Sequence, residues 1–157
     1  MRCLLIFIFL LCVSCDYFES KKVNTNDIVN QELKTIDYKS VDRYPSFETC
    51  DTISEKIQHK LCFESTLLTH VNNYLAEQNI VVSNDVEDSI SINLRIDKSG
   101  TISVLNIEAK AETKTVIPNI DSLLTRSIAT LPKIYPAIKR AQQVTTELVL
   151  PVVVSIR

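Results

Sequence analysis

The hydrophobic period changes several times along this chain, and each change marks an element. Leu4 to Val13 is an unbroken apolar run of ten residues. As a helix it would span about 15 Å, half of the ~30 Å hydrocarbon core of a bilayer, so it is too short for an anchor and suits the apolar region of a signal peptide. From Asp16 to about Arg43 the apolar residues (Val23, Ile28, Val29, Leu33, Ile36) are isolated and aperiodic, predicting a polar tether with at most one helical turn around 27–33. Such a tether of roughly 28 residues reaches ~95 Å fully extended and only about 30 Å as a relaxed coil.

Beyond the tether the pattern becomes regular. In Tyr44 to Phe63, Ile53, Ile57 and Leu61 fall at helical spacing, and Thr52-Ile53-Ser54-Glu55 has the form of a capping box. Glu64 to Gln78 predicts an amphipathic helix with Leu67, Leu68, Val71, Tyr74 and Leu75 on one face and His70 at its boundary. Ser89 to Asp97 then alternates strictly, with Ile90, Ile92, Leu94 and Ile96 on one side, the signature of a half-buried strand. Asp97-Lys98-Ser99-Gly100 supplies turn chemistry with the only glycine of the chain, and Thr101 to Ala109 returns as the second strand of a hairpin. Ala111 to Pro118 reads as a loop. Asn119 or Asp121 is placed to cap a second helix with Ile120, Leu124, Ile128 and Leu131 inward, stopped by Pro132 and Pro136. Thr145 to Arg157 is a long terminal strand, in which Pro151 requires an edge position or a bulge. The fold class expected is α+β, a small antiparallel three-stranded sheet packed against two helices with a cysteine-bracketed N-terminal extension.

The ends of the apolar run sharpen the targeting signal. Arg2 precedes it as a minimal positive region, and Ser14-Cys15 follows it as in a lipobox, although Cys12 stands where an aliphatic residue is usual. The expected division is therefore a signal peptide over 1–14, a lipid-anchored tether over 15–43 and a globular part over 44–157, with Cys15 as the lipidated residue. A plain secretory signal cleaved near Ser14 is the alternative. Either places the protein in an oxidising envelope compartment, where the two cysteines left over, Cys50 and Cys62, favour a disulfide. Closing a loop of about a dozen residues would stabilise the fold by about 3 kcal/mol. A continuous helix from Asp51 to Cys62 would hold the two about 18 Å apart, whereas a disulfide requires Cα atoms within about 7 Å. A short helix with a fold-back near His59 or Lys60 is thus expected. Cys50, His59, Cys62 and His70 also make a conceivable four-ligand set, but their spacing matches no familiar zinc pattern.

Without Arg2 the chain keeps 16 basic against 19 acidic residues, a net charge near −3. Nothing in that balance suggests nucleic acid or a polybasic membrane patch. There is no Ser/His/Asp order, no metal motif of recognised spacing and no phosphate-cradling glycine loop, so neither a catalytic residue, a bound metal nor a cofactor is expected.

The order helix, hairpin, helix, terminal strand resembles the C-terminal domain of TonB. Ile92-Asn93-Leu94-Arg95-Ile96-Asp97-Lys98-Ser99-Gly100-Thr101-Ile102 is similar to that family's strand–turn–strand core. Leu131-Pro132-Lys133 with Pro136 is similar to its "lP…P" motif, and Val149-Leu150-Pro151-Val152 to its last strand. Pro45, Phe47, Cys50 and Cys62 resemble the cysteine-bracketed extension of TonB-like proteins of the Bacteroidetes. The likeness covers about residues 44 to 157. It departs from TonB in four ways: a lipid anchor replaces the membrane helix, the tether has no proline before Pro45, Glu87-Asp88-Ser89 stands where the family often has a Gly at the start of the first strand, and the final aromatic is missing.

The resemblance implies a domain that captures an extended segment, such as part of a TonB-dependent transporter or another envelope protein, by strand addition. The partner-binding strand would be Glu147, Leu148, Val149, Leu150, Val152, Val153, Val154 and Ser155. The membrane would be reached through the N-terminal lipid, with the domain facing the periplasm from the outer membrane. Having no membrane helix to join a motor, the expectation is a tethered adaptor and not an energy transducer. The alternative is a structural or accessory lipoprotein, or a homodimer module, in an envelope complex.

Overall fold

The computed structural model describes residues 36–156; the expected signal peptide, Cys15 and most of the expected tether lie outside them. The packed domain begins with β1 (Ile36–Asp37) and a 3-10 turn at Tyr38–Ser40. Tyr38 and Val41, expected within the tether, are buried at 7% and 1% exposure. Next come β2 (Ser46–Phe47), a 3-10 turn at Glu48–Cys50 and the long helix α1 (Lys56–Glu77). The hairpin strands β3 (Val86–Ile96) and β4 (Ile102–Glu108) lead to α2 (Ala111–Val116) and α3 (Ile120–Ala129). Three short strands, β5 (Ile134–Tyr135), β6 (Ala137–Lys139) and β7 (Gln142–Val144), precede the terminal β8 (Thr146–Ile156).

The main sheet runs β1-β8-β3-β4. Its three long strands are antiparallel, as expected from sequence; the two-residue β1, parallel to the start of β8, is an addition. Alternation decides the faces. Ile90, Ile92, Leu94 and Ile96 of β3 and Leu148, Leu150, Val152 and Val154 of β8 are buried, while the residues between them face away from the core. Helix α1 packs on β8 and α3 packs on α1 and β4, so the two helices cover one side of the sheet. They contribute Phe63, Leu67 and Val71, and Ile120, Leu124 and Ile128, to the core.

The fold-back expected near His59 or Lys60 does not occur there. Cys50 and Cys62 are disulfide-bonded with Cα atoms 5.8 Å apart, and α1 runs unbroken past His59 and Lys60. The geometric conflict is relieved because the helix starts at Lys56, not Asp51. Cys62 therefore lies near the helix N-terminus, and the segment 51–55 returns beside it. Glu55 sets that start: its carboxylate accepts hydrogen bonds from the Ile57 and Gln58 amides at 3.0 and 2.6 Å, which also draws its pKa down.

The other correction is α2, where a loop was expected. Its N-terminus is held by Asp88, a β3 residue whose carboxylate accepts from the Lys110 amide at 2.8 Å and the Thr113 hydroxyl at 2.7 Å. For α3, Asn119 occupies the N-cap position but makes no side-chain cap, and Asp121 instead pairs with Lys114 at 2.8 Å. The hairpin turn is built as its residues predict. Asp97 accepts from the Ser99 amide and hydroxyl and from the Thr101 amide, and Gly100 takes φ +85°. A Cβ at Gly100 would lie 2.0 Å from the Ile134 carbonyl oxygen, so the turn seats directly against β5.

Candidate functional site

Sheet edges are where a folded domain still has main-chain hydrogen bonds to offer. Of the two edges here, β4 is the shorter strand, bears Glu108 and is disturbed by a register shift opposite Asn93/Leu94. Such irregularity is a common way of blunting an edge. Strand β8 differs. It pairs with β3 without interruption from Thr146 to Ile156, and on its other side β1 pairs only with Thr146 and Glu147, followed by the Tyr38–Ser40 turn packed against the strand. Among the described residues, no strand pairs with the outer side of β8 from Leu148 to Ile156.

The residues singled out from sequence fall on this element in two sets. Leu148, Leu150, Val152 and Val154 point into the core and serve packing. Glu147, Val149, Val153 and Ser155 lie on the outward face with Pro151. Val149 and Val153 are 60% and 69% exposed, and Glu147 is held by Arg95 of β3 at 2.7 Å. Pro151 sits within the continuous register opposite Ser91, with no bulge. It offers a carbonyl but no N–H, the device by which edge strands limit their own pairing. No charged residue lies between Glu147 and Arg157.

The flank of α1 borders the same edge. One cavity, of about 660 Å³, lies at its Leu148 end beside Tyr38, Lys60 and Glu64. Another, of about 460 Å³, lies at the Ser155 end beside Asn72, Leu75, Ala76 and Ile80. The first end is polar. Lys60 and Glu64 form an i,i+4 pair at 3.6 Å, and Lys60 also lies over the rings of Tyr38 and Tyr44. Burial, with the Glu64 carboxylate next, pushes the Tyr38 hydroxyl pKa up, so it stays a neutral phenol. Sequence reasoning missed this flank. Its signal was present in Ile57, Leu61, Leu68 and Leu75, which recur on one side of α1 with Ile57 and Leu61 left exposed.

The remaining candidates separate. Cys50 and Cys62 are spent in their disulfide. His59 is 2% exposed, and neither ring nitrogen has a hydrogen-bond partner. Burial, with Arg43 next, lowers its pKa. His70 is tied to α3, its Nε2 lying 3.1 Å from both the Ser127 carbonyl oxygen and the Thr130 hydroxyl. Among the described residues, no three His, Cys, Asp or Glu side chains are grouped to hold a metal, and no helix is long and apolar enough to cross a membrane. Cys15 lies outside the described residues.

No protein-family model, curated protein or solved structure matches the chain.

Proposed function

We propose that the protein is a lipid-anchored envelope module, tethered through Cys15, whose domain binds an extended segment of an envelope protein by strand addition to β8. The observation that carries the reading is the outer side of β8, which has no partner strand from Leu148 to Ile156 among the described residues. An added strand gains main-chain hydrogen bonds there, and side-chain pockets on alternate positions fix its register. The element order and the Asp97–Gly100 turn support a TonB-like reading of the domain, in which the partner is a transporter segment. The reading assigns no catalytic role to any residue.

Titration of the full chain with peptides from envelope proteins, followed by amide chemical shifts, tests the binding site. Shifts centred on residues 148–156 are expected; unperturbed amides there would sink the proposal. The uncharged edge also suits a second copy of the chain, making the domain a homodimer module. Sedimentation over a range of concentrations distinguishes the two, because self-pairing depends on protein concentration and peptide capture does not.

A further inference from the structure

We infer that the β8 edge and the α1 flank form one trough selecting an uncharged extended segment with apolar residues at every second position. This deepens the strand-addition reading and rests on it. The argument begins with the length of the free edge. Among the described residues, the nine from Leu148 to Ile156 lack an outer partner strand, a row of about 30 Å at ~3.3 Å per residue. The two cavities lie at opposite ends of that row; β8 and α1 contribute to both, joined by Asn93, Leu94, Leu105 and Asn106 of β3 and β4 at the Leu148 end and by Ile120 of α3 at the other. Between them the helix presents Leu68, itself packed against the core. A strand laid on the edge therefore has two unlike environments for its alternating side chains. One set enters the trough toward Leu68 and Leu75; the other stands beside Val149 and Val153 on the outer face of the sheet.

Charge narrows the chemistry. Between Glu147 and Arg157, the edge offers a segment only Val, Leu, Pro, Ser and Ile. The Ser155 end of the trough adds Leu75, Ala76 and Ile80. A carboxylate or ammonium group placed there would lose water and find no counter-ion among those residues, which is costly. The charged groups lining the trough, Lys39, Lys60, Glu64 and Glu147, are all at the Leu148 end, where Lys60 pairs with Glu64 and Glu147 with Arg95. An apolar side chain set against Leu75 and Ile80 is instead favoured by the area it removes from water. Cross-strand neighbours such as Val149 and Val153 also favour β-branched partners. The occupant is thus a neutral, alternating apolar strand of another protein, with any charge it carries confined to the end beside Lys60 and Glu64.

The test uses the full chain and two ten-residue peptides. One alternates Val and Thr; the other carries Glu at each Val position. The uncharged peptide is expected to shift the amides of Val149, Val153 and Ser155 together with those of Asn72 and Ala76. It should also bind at least about tenfold more tightly than the Glu peptide. Ala76→Glu, an exposed substitution at the apolar end, should weaken the uncharged peptide about tenfold with the thermal midpoint unchanged. Asn72→Glu provides a second exposed change with the same expected outcome.

Equal binding of both peptides with β8 amides shifted would overturn the selectivity and leave strand addition standing. Binding that responds to Ala76→Glu without any β8 shift would overturn strand addition itself. No binding of either peptide at millimolar concentration would overturn both, as would a β8-paired dimer that neither peptide dissociates.

Discussion

At Gly100, Arg140 and Ala141 the backbone enters the left-handed region, with φ of +85°, +50° and +59°, and only the glycine suits it. Left-handed backbone costs an L-residue with a Cβ about 1–2 kcal/mol. The tight β6–β7 hairpin requires it at both central positions, and Arg140 is further fixed by its amide's bond to Asp42 at 2.6 Å. Ala141→Gly should therefore raise stability by about 1 kcal/mol, read from denaturant unfolding. The opposite exchange, Gly100→Ala, should lower it by more than about 2 kcal/mol, since the new Cβ meets backbone at Ile134. Sequence made Gly100 conspicuous, as the only glycine and preceded by Asp97. Nothing in a Lys-Arg-Ala-Gln stretch marks a left-handed turn. His59 carries the pH prediction at this scale. Its pKa in the fold is lowered by burial, so the unfolded chain binds its proton more readily. Stability is then fully present above the unfolded value of about 6.5 and falls as pH drops through and below it. His59→Leu should flatten the unfolding midpoint between pH 7 and 5; an unchanged slope would assign the acid sensitivity elsewhere.

The elements divide by whether their cause is local. Strands β3 and β8 were evident because one face of each is buried, so period-2 alternation runs along them; β4, nowhere fully buried, was marked by the turn that precedes it. The start of α1 was not, because Thr52 and Glu55 fit a capping box, yet Glu55 itself caps the helix. Helix α2 was hidden for a different reason: its cap is Asp88, 22 residues away from Lys110. Asp88→Ala leaves the Lys110 amide and Thr113 hydroxyl unpaired in a buried place and should cost about 1–3 kcal/mol. Amide exchange should show protection lost first in 111–116. The short strands β1, β5, β6 and β7 were likewise invisible, since two or three residues carry no period. The cysteine pair was legible from its count and from the compartment expected of the N-terminal apolar run, and the consequence is measurable. Replacing both with serine should cost about 3 kcal/mol and loosen the ring contact of Phe47 on Phe63, whose centroids are 5.1 Å apart.

For the whole molecule, the open edge and the proposed membrane tether work on the same problem. An uncharged nine-residue edge is an invitation to pair with any exposed strand, including another copy of itself. The described part of the chain holds one evident restraint against that, the missing N–H of Pro151. Anchoring would add another, because a domain on a relaxed tether of about 30 Å searches only the layer next to its membrane. Legibility is uneven here too. The edge strand could be named from sequence, but its openness could not, since that depends on β1 ending at Asp37. If Pro151 is the restraint, restoring the amide should release it. Pro151→Val keeps the outward face apolar and completes the row of donors, so it should favour association through β8. Sedimentation should then show dimers or larger species at concentrations where the parent chain is monomeric. A second substitution, Val153→Lys, should reverse this by placing a charge on the same edge. Equal sedimentation of the parent and Pro151→Val chains would show that the amide is not limiting. The α1 flank, bordering the trough with Lys60 and Glu64, would then be the feature that keeps the edge single.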